Sequence, residues 1–467
     1  MKPKNPDKTP QKDLFRMELR NMIDLKHELV RLAEIIDWDA IDGRFGALYE
    51  DRKGRPGIPT RMMAGFLYLK HTQKLSDEEV VRRWVENPYM QYFCGEQYFR
   101  HDFPIHPTSL TRFRKRMSEK DAQFLLSVTV EAGLNSGTIE KRELKEVVVD
   151  TTVMEKAIAN PTDSQLYHRC RDRLVQLAKK HGVELRQSYH RKSRYALLKA
   201  ARYGHAKQYK RMRREVRRLR TWLGCVKRDI ERRIAADETL QAVFQANLAL
   251  AERLLDQRRD SKNKLYSLHA PEVSCIAKGK ARKRYEFGVK VGVATTLKNQ
   301  FVLASHALPG NPYDGHTLAD TLWRCAITSG AVAKNVYVDR GYRGHGVGEV
   351  SNTKVYIAGQ RRGISVRRRR KMKRRSAIEA IIGHMKADGL LARNWLKGSD
   401  GDEIHAQLCG AGQNLRMILK KLRLLFAWVS GGYGRGLAAQ IRLCSFVKKW
   451  RSDIDGEMGT TFMATVA

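Results

Sequence analysis

The sequence predicts a mixed α/β domain that is interrupted by a basic helical insertion and preceded by an all-α domain. Three observations predict it. Apolar residues recur at helical spacing up to about residue 135, short apolar segments typical of buried strands begin at residue 146, and a long basic segment separates the first of these strands from the others. The 467 residues, 42% of them hydrophobic, suffice for two or three domains with apolar cores.

The N-terminal part is predicted to comprise a flexible basic tail over residues 1–14 and a helical domain over residues 15–135. Ser76, followed three residues later by Glu79, forms a capping-box pattern that starts one helix, and a short basic helix starts near Thr108. A short helix, a turn and a basic helix are typical of a helix-turn-helix DNA-binding domain. An ordinary helical domain with a solvated basic face explains the same pattern equally well.

A strand-containing domain is predicted over residues 140–425. A near-continuously apolar segment at 146–150 predicts a short strand, buried on both faces, that ends in Asp150. The elements predicted after the insertion are an antiparallel strand pair at 285–294 and 300–306, a helix at 316–328, a second short strand that ends in Asp339, a strand at 354–358 and a helix at 374–386. A Gly-rich linker and tail are predicted over 426–467.

The insertion, predicted over residues 166–265, is strongly basic. Residues 166–260 contain 26 Lys and Arg against 10 Asp and Glu. An apolar stripe at helical spacing predicts a helical hairpin; it consists of Leu219, Leu223, Val226, Ile230 and Ile234. The same helix is crowded with arginines that a merely solvated face would more often balance with acids, which favours DNA contacts by Arg213, Arg214, Arg217 and Arg218.

The overall charge restricts the class of partner. A formal net charge of +39 repels itself in a compact chain unless a polyanion is bound, which indicates nucleic acid, with an anionic membrane surface as the second reading. The seven cysteines are widely scattered without zinc-type spacing, as expected in a reducing cytoplasm. No apolar stretch is long enough to span a membrane, so membrane insertion is not expected.

Three acids suggest a catalytic metal site. Asp150 and Asp339 each end a short buried strand, and parallel neighbouring strands would bring them together at one sheet edge. Glu379 follows on a helix that can pack against the strands. Oxygen ligands of this kind suit two Mg²⁺ ions, with Mn²⁺ as a substitute, and two such ions promote in-line displacement at a phosphodiester.

The helix that carries Glu379 has two distinct faces. Arg375, Glu379 and Lys386 share a polar stripe, and the opposite stripe is formed by Ile378, Ile381, Ile382 and Met385. The alternative is an exposed ion pair between Arg375 and Glu379, which would contribute little. A basic run at 366–375 precedes this helix, and we expect it to neutralise DNA phosphates through Arg367, Arg368, Arg369 and Arg370; a solvated basic loop is the alternative.

Four other acids are weaker candidates. Asp314 lies in a Pro- and Gly-rich segment, where a turn-forming role is expected. Glu155 is close enough to Asp150 in sequence to support it indirectly. Glu349 lacks basic partners at helical spacing, and Asp320 is expected to form a cap or surface pair with His316.

Three segments together carry a family resemblance: Asp150-Thr-Thr, Asp339-Arg-Gly-Tyr-Arg-Gly and Arg375-x3-Glu379-x6-Lys386. They resemble the DDE transposases of bacterial insertion sequences, specifically the insertion sequence 5 family. The related signature has a Tyr three residues before the Arg, where this chain has Met372.

The resemblance implies an RNase H-like catalytic core with Asp150, Asp339 and Glu379 as metal ligands, and DNA phosphate contacts by Arg375 and Lys386. It also implies Mg²⁺-dependent cut-and-paste transposition between terminal inverted repeats, by a homodimer that acts on double-stranded DNA in the cytoplasm. The residues by themselves lead only to a two-metal phosphodiester enzyme acting on nucleic acid. A non-catalytic nucleic-acid-binding protein and a nuclease without strand transfer remain as alternatives.

Overall fold

The computed structural model describes residues 17–49, 57–258, 260–262, 264–277, 284–347, 353–359 and 365–429. The predicted tail at 1–14, residues 430–467 of the predicted linker and tail, and Glu349 lie outside the described residues. The chain divides into two compact units. One comprises Met1–Glu143 and Ala411–Ala467, and the other comprises Leu144–Gly410.

The first unit is helical. Its N-terminal segment forms α1 (Leu19–Met22), α2 (Glu28–Ile35), α3 (Trp38–Gly46), α4 (Thr60–Gln73), α5 (Asp77–Glu86), α6 (Pro88–Phe93), α7 (Thr108–Arg116) and α8 (Glu119–Asn135). Ser76 caps α5 as predicted, since its side chain accepts a hydrogen bond from the Glu79 amide at 3.0 Å. The all-α character predicted for this part of the chain is thus confirmed.

The two helices that suggest a helix-turn-helix are not consecutive. Helix α6 and residues 94–107 separate α5 from α7, whereas a turn of about 3–4 residues joins the helices of that motif. One basic residue of α7 also has a structural role, because the buried Arg114 donates to Asp77 of α5 at 2.9 Å. The expectation of a helix-turn-helix formed by these two helices is therefore wrong.

The second unit contains a mixed sheet of seven strands: β1 (Glu146–Lys156), β2 (Ser274–Ala277), β3 (Tyr285–Thr296), β4 (Val302–Leu308), β5 (Asn335–Val338), β6 (Lys354–Ile357) and β7 (Arg393–Asn394). Strands β1, β3 and β4 form an antiparallel meander, as predicted for β3 and β4. On the other edge of β1, β5 and then β6 pair in parallel. The predicted mixed α/β sheet is confirmed.

The first strand is longer than predicted. It does not end at Asp150 but continues to Lys156, because its antiparallel pairing with β3 runs without interruption from Val147 to Glu155. Strand β5 pairs with β1 only at residues 146–148, and β7 pairs with it only at 155–156. Between those two pairings, the edge of β1 around Asp150 has no neighbouring strand among the described pairs.

Among the described helices that pack against this sheet are α13 (Asp314–Ser329), α14 (Val366–Lys373) and α15 (Ala377–Ala387). The apolar face predicted for α15 is confirmed, because it packs into the core cluster that includes Val148, Met154 and Tyr337. Its contributing side chains are the buried Ile378, Ile382 and Met385 and the partly buried Ile381.

The insertion between β1 and β2 forms four helices rather than the predicted hairpin: α9 (Asp163–Lys180), α10 (His190–His205), α11 (Tyr209–Ile234) and α12 (Glu238–Asp256). The predicted apolar stripe of α11 is confirmed, since all five of its members are buried in a cluster separate from that of the sheet. The additional helices α9 and α10 cover this stripe and complete the insertion's own core.

The last described helix, α16 (Gly398–Val429), contributes residues to both units. In the first unit, Asn414 donates to Thr129 of α8 at 3.0 Å and Arg416 donates to the His71 carbonyl at 2.8 Å. Among the described helices, none has a stretch long and apolar enough to cross a membrane.

A buried ion cluster fastens the far end of β1. Lys156 is buried and donates to Asp402 at 2.7 Å, and it also pairs with Glu272 at 2.9 Å. Asn394 of β7 donates to the same Asp402 oxygen at 2.6 Å. Burial raises the pKa of Asp402, and the Lys156 ammonium opposes that increase. The cluster thus links β1, β7 and the first turns of α16.

We expect Lys156→Met to lower the free energy of unfolding by about 3–5 kcal/mol, because it leaves the buried Asp402 carboxylate without its cation. Combining it with Asp402→Asn should recover part of this loss. Chemical denaturation measures both effects, with the exposed Lys334→Met as control. Equal stability of Lys156→Met and Lys334→Met would contradict the role of the ion cluster.

Candidate active site

The pairing of β1 with β5 aligns two of the predicted acids. The strands are parallel, and Val148 lies opposite Tyr337. Asp150 and Asp339 each follow two residues later, so they stand at the same level on neighbouring segments. The Asp339 side chain is held by the Gly341 amide, which donates to its Oδ1 at 2.8 Å.

Glu379 reaches the same region from α15. Asp150, Val148 and Met154 alternate along β1 on one sheet face, and that face packs against Ile378 of α15. Glu379 lies in the first turn of that helix and is exposed. The apolar face of α15 therefore positions Glu379 on the side of the sheet to which Asp150 points.

The charges of these groups act on one another. The pKa of Asp150 is raised to about 6, mainly by burial and further by the negative charges of Asp339 and Glu379. The Thr151 amide, which donates to Asp150 at 2.8 Å, and the Arg375 guanidinium oppose this increase. The structure therefore brings Asp150, Asp339, Glu379 and Arg375 together. In this group three carboxylates face a single guanidinium group.

The alternative considered for this helix, an exposed ion pair between Arg375 and Glu379, is not observed. Arg375 lies in a 3₁₀ turn at Arg374–Ser376 before α15, so it is not part of the same α-helix as predicted. Within the described part of the chain, neither side chain forms an ion pair. The charge of the Arg375 guanidinium instead lowers the pKa of Asp150. Lys386 lies in the last turn of α15.

The donor set fits a divalent cation. Three carboxylates offer the hard oxygen ligands that Mg²⁺ and Mn²⁺ prefer. Burial raises the pKa of Asp150 most, the charges of Asp339 and Glu379 raise it further, and a bound cation would offset both effects. Asp150, Asp339 and Glu379 are therefore the residues that would hold the metal.

Two further residues adjoin this site: Asp314, for which the sequence predicts a turn-forming role, and Tyr342, for which it predicts none. Asp314 does not merely form a turn, because its Oδ1 accepts hydrogen bonds from Thr151 at 3.0 Å and Lys290 at 3.1 Å. Tyr342 is 1% exposed, and its pKa is raised well above the usual value, first by burial and then by the charges of Asp150, Asp314 and Asp339. The sequence feature that could have indicated Tyr342 is its position three residues after Asp339.

The basic run at 366–375 is helical rather than a loop. Ser365 caps α14 by accepting a hydrogen bond from the Arg368 amide. The Arg368 guanidinium lies 5.0 Å from the centre of the Tyr356 ring in β6, and Lys371 pairs with Glu146 of β1. The other three predicted phosphate contacts, Arg367, Arg369 and Arg370, have exposed side chains.

A cavity of about 320 Å³ opens between α14 and the end of β6. Its lining includes Gly359, Arg369, Met372 and Arg375. Met372, which replaces the Tyr of the related signature, also packs against the core of the sheet. At this position the chain therefore has an apolar side chain beside two guanidinium groups.

The four arginines of the insertion that are predicted to contact DNA lie on the exposed side of α11, opposite its buried stripe. They are Arg213, Arg214, Arg217 and Arg218. Arg214 and Arg218 flank the buried Glu215, and Arg218 donates to it at 3.0 Å. Within the described ranges, Arg213 and Arg217 have no ion-pair partner. These two guanidinium groups are the most available for an anionic ligand.

Three other candidate groups lie apart from Asp150, Asp339 and Glu379. Glu155 is five residues beyond Asp150 on β1, about 16 Å away and on the opposite sheet face. Asp320 pairs with Arg324 at 3.0 Å rather than with His316. In the insertion, His168 contacts Ser193 at 2.7 Å and Asp172 at 3.1 Å, but Ser193 is only 1% exposed and joins α9 to α10 instead of serving as a nucleophile.

Comparison with known proteins gives a match to a transposase domain and a match to one relative. Residues 17–116 match the family described as a transposase domain (DUF772). The chain is also 49% identical over 209 residues to an uncharacterised protein of Rhizobium meliloti, ORF8 in the nfe locus, and the match spans 45% of this chain and all of that protein. The chain belongs to the same family as that relative and is a transposase-like protein. No solved structure matches it.

The matched transposase domain comprises α1 to α7 and lies in the first unit of the transposase-like protein. The three acids lie in the second unit. The domain match and the acid geometry are therefore independent observations on different parts of the chain.

We expect Asp150→Asn to raise the free energy of unfolding of the metal-free protein by about 1–2 kcal/mol near pH 7.5. Ionised Asp150 is disfavoured in the folded protein, where its pKa is about 6, whereas an unfolded Asp has a pKa of about 3.9. The gain should be complete above the folded pKa, decrease as the pH falls between the two values, and vanish below the unfolded one.

Chemical denaturation in EDTA across this pH range measures the effect. Asp400→Asn, at an exposed position of the same unit, is the control and should show no comparable change. A loss of stability in Asp150→Asn at neutral pH would contradict the electrostatic account.

Proposed function

We propose that this transposase-like protein binds the terminal inverted repeats of its own insertion sequence and catalyses Mg²⁺-dependent DNA cleavage and strand transfer. The observation that carries the proposal is the proximity of Asp150, Asp339 and Glu379, because three neighbouring carboxylates suit metal-assisted phosphodiester chemistry. The match of residues 17–116 to a transposase domain supports it from another part of the chain.

We further propose that the second unit has the RNase H-like core that the family resemblance implies. Its support is the mixed sheet, in which β1 pairs with β3 in antiparallel on one edge and with β5 in parallel on the other. Assignment to the insertion sequence 5 family belongs to the same proposal and rests on the three segments that contain Asp150, Asp339 and Glu379.

The structural element that carries each acid would determine its role in the metal site. Asp150, on a long central strand, and Asp339, held by the Gly341 amide, are the rigid ligands. Glu379 completes the set from α15. Two bound Mg²⁺ ions, for which Mn²⁺ could substitute, would activate the attacking oxygen and stabilise the leaving oxygen of the DNA phosphodiester.

Basic side chains beside the acids would position DNA. Arg375, whose charge acts on Asp150, would contact a phosphate near the metal site, and Lys386 would do so by its motif position. Arg367, Arg369 and Arg370 would neutralise further phosphates, and Arg368 would do so less freely because it stacks on Tyr356. We assign the arginines of α11 to contacts with inverted-repeat or target DNA.

Joining two element ends to target DNA requires both ends in one complex, so we propose a homodimer as the active form. The chromosomal DNA that such an enzyme joins lies in the bacterial cytoplasm, which is our proposed location. The net charge of +39 supports a DNA partner, since each neutralised phosphate releases counterions.

The decisive experiment incubates the full chain with a labelled linear duplex that ends in the repeat flanking its gene, in Mg²⁺ or in EDTA. We expect metal-dependent cleavage at the repeat boundary and joined products with target DNA. Asp339→Asn should reduce cleavage at least a hundredfold, because it removes a ligand charge, whereas Asp320→Asn in α13 should cleave normally.

Two outcomes would overturn this function. Cleavage without joined products would favour a nuclease that lacks strand transfer. Salt-dependent DNA binding without cleavage in Mg²⁺ or Mn²⁺ would favour the non-catalytic nucleic-acid-binding protein.

A second prediction concerns α11. Replacing both Arg213 and Arg217 by Gln should weaken DNA binding and lower the slope of log affinity against log salt by about 2, since each lost phosphate contact contributes about 0.9. Arg232→Gln with Arg233→Gln is the matched control, because these arginines of the same helix adjoin Asp229 at 3.7 Å. Equal slopes for the two double variants would exclude a specific role for Arg213 and Arg217.

A further inference from the structure

The acid site has two neighbours that the proposed function does not use. Asp314 is the first residue of α13, and Tyr342 follows Asp339 by three residues. Both lie where β5 has ended and the edge of β1 is without a neighbouring strand. Groups from the two faces of the sheet can therefore meet at this gap.

The two carboxylate oxygens of Asp314 have different surroundings. Its Oδ1 accepts from the Thr151 hydroxyl at 3.0 Å and from the Lys290 ammonium at 3.1 Å. Lys290 is itself fixed by donating to the Pro312 carbonyl at 2.7 Å. The remaining oxygen, Oδ2, accepts no hydrogen bond from the residues that the structure describes.

Gly341 shows how closely the two aspartates approach. A Cβ atom on Gly341 would lie 3.1 Å from Oδ1 of Asp339 and 3.3 Å from Oδ2 of Asp314. These distances are shorter than ordinary van der Waals contacts, so a side chain here would push the carboxylates aside. The space that this glycine leaves free is therefore bordered by one carboxylate oxygen of each aspartate.

Tyr342 supplies an independent sign of a missing ligand. Its side chain is 1% exposed, yet its hydroxyl has no hydrogen-bond partner among the described residues. An unsatisfied buried hydroxyl costs about 1–3 kcal/mol, so such groups normally have a partner in the working protein. The charges of Asp150, Asp314 and Asp339 all act on this phenol, which places it beside the carboxylates.

We propose that Asp314 is a fourth carboxylate of the metal site, and that the Tyr342 hydroxyl donates a hydrogen bond to an oxygen bound there. The ligand class is a divalent cation with oxygen ligands, and the inference rests on the proposed function for the existence of that site. Asp314 reaches the cation from α13, on the face opposite α15. The cation would thereby connect α13, β1, the end of β5 and α15.

The test measures Mn²⁺ binding by electron paramagnetic resonance, in the full chain and without DNA. Asp314→Asn keeps an oxygen that can accept from Thr151 and Lys290 but removes the charge, so Mn²⁺ affinity should fall about tenfold or more. Tyr342→Phe removes only the hydroxyl and should weaken binding several-fold. Asp320→Asn, on the same helix, should bind Mn²⁺ as the wild type does.

The outcomes separate this inference from the proposed function. Weak Mn²⁺ binding by Asp339→Asn together with wild-type binding by Asp314→Asn would overturn the role of Asp314 and leave the three-acid site intact. Wild-type binding by Asp339→Asn as well would overturn the metal site itself, and the inference with it. If Asp314→Asn fails to fold, as judged by its unfolding transition in EDTA, wild-type binding by Tyr342→Phe still overturns the proposed shared site.

Discussion

The parallel pairing of β1 with β5 is the constraint on which the candidate site depends. Because Val148 lies opposite Tyr337, the two aspartates that follow stand level with each other. A shift of this register by one residue would move the Asp339 segment along β1 and turn its side chains to the other face. The buried apolar residues of both strands resist such a shift, since their side chains already fill the core against α15.

The same pairing ends early, and this ending leaves the edge of β1 open at the proposed metal site. Strand β5 leaves β1 after residue 148, and β7 joins it only at residue 155. The intervening edge holds Asp150 and Thr151, which point to opposite faces of the sheet. Glu379 approaches on one face and Asp314 contacts Thr151 on the other. Asp150, Asp339, Glu379 and Asp314 come from four elements, and each lies within regular structure or at its immediate end.

The basic elements combine structural and exposed charge within single helices. In α14, Arg368 stacks on Tyr356 and Lys371 pairs with Glu146, which fixes the helix against the sheet while its other arginines stay in solvent. In α11, a buried stripe anchors the helix in the core of the insertion, and the buried Glu215 organises two arginines on its flank. Fixed helices carry cationic groups at defined spacing, which suits the regular spacing of phosphates better than an unstructured basic run.

The sequence by itself determined where helices and strands form, and it singled out Asp150, Asp339 and Glu379 as the candidate metal ligands. Periodicity identified the apolar faces of α11 and α15, and short apolar runs before Asp150 and Asp339 identified two neighbouring strands. These signals are local, because they depend only on which face of an element is buried. Tertiary structure alone decided the length of β1, the separation of α5 from α7, and the roles of Asp314 and Tyr342. Asp314 has the sequence context of a turn, and only the pairing of β3 with β1 brings Lys290 and Thr151 to its side chain. Partners separated by 163 residues leave no mark in a local pattern, because their proximity results from the folding of the whole sheet.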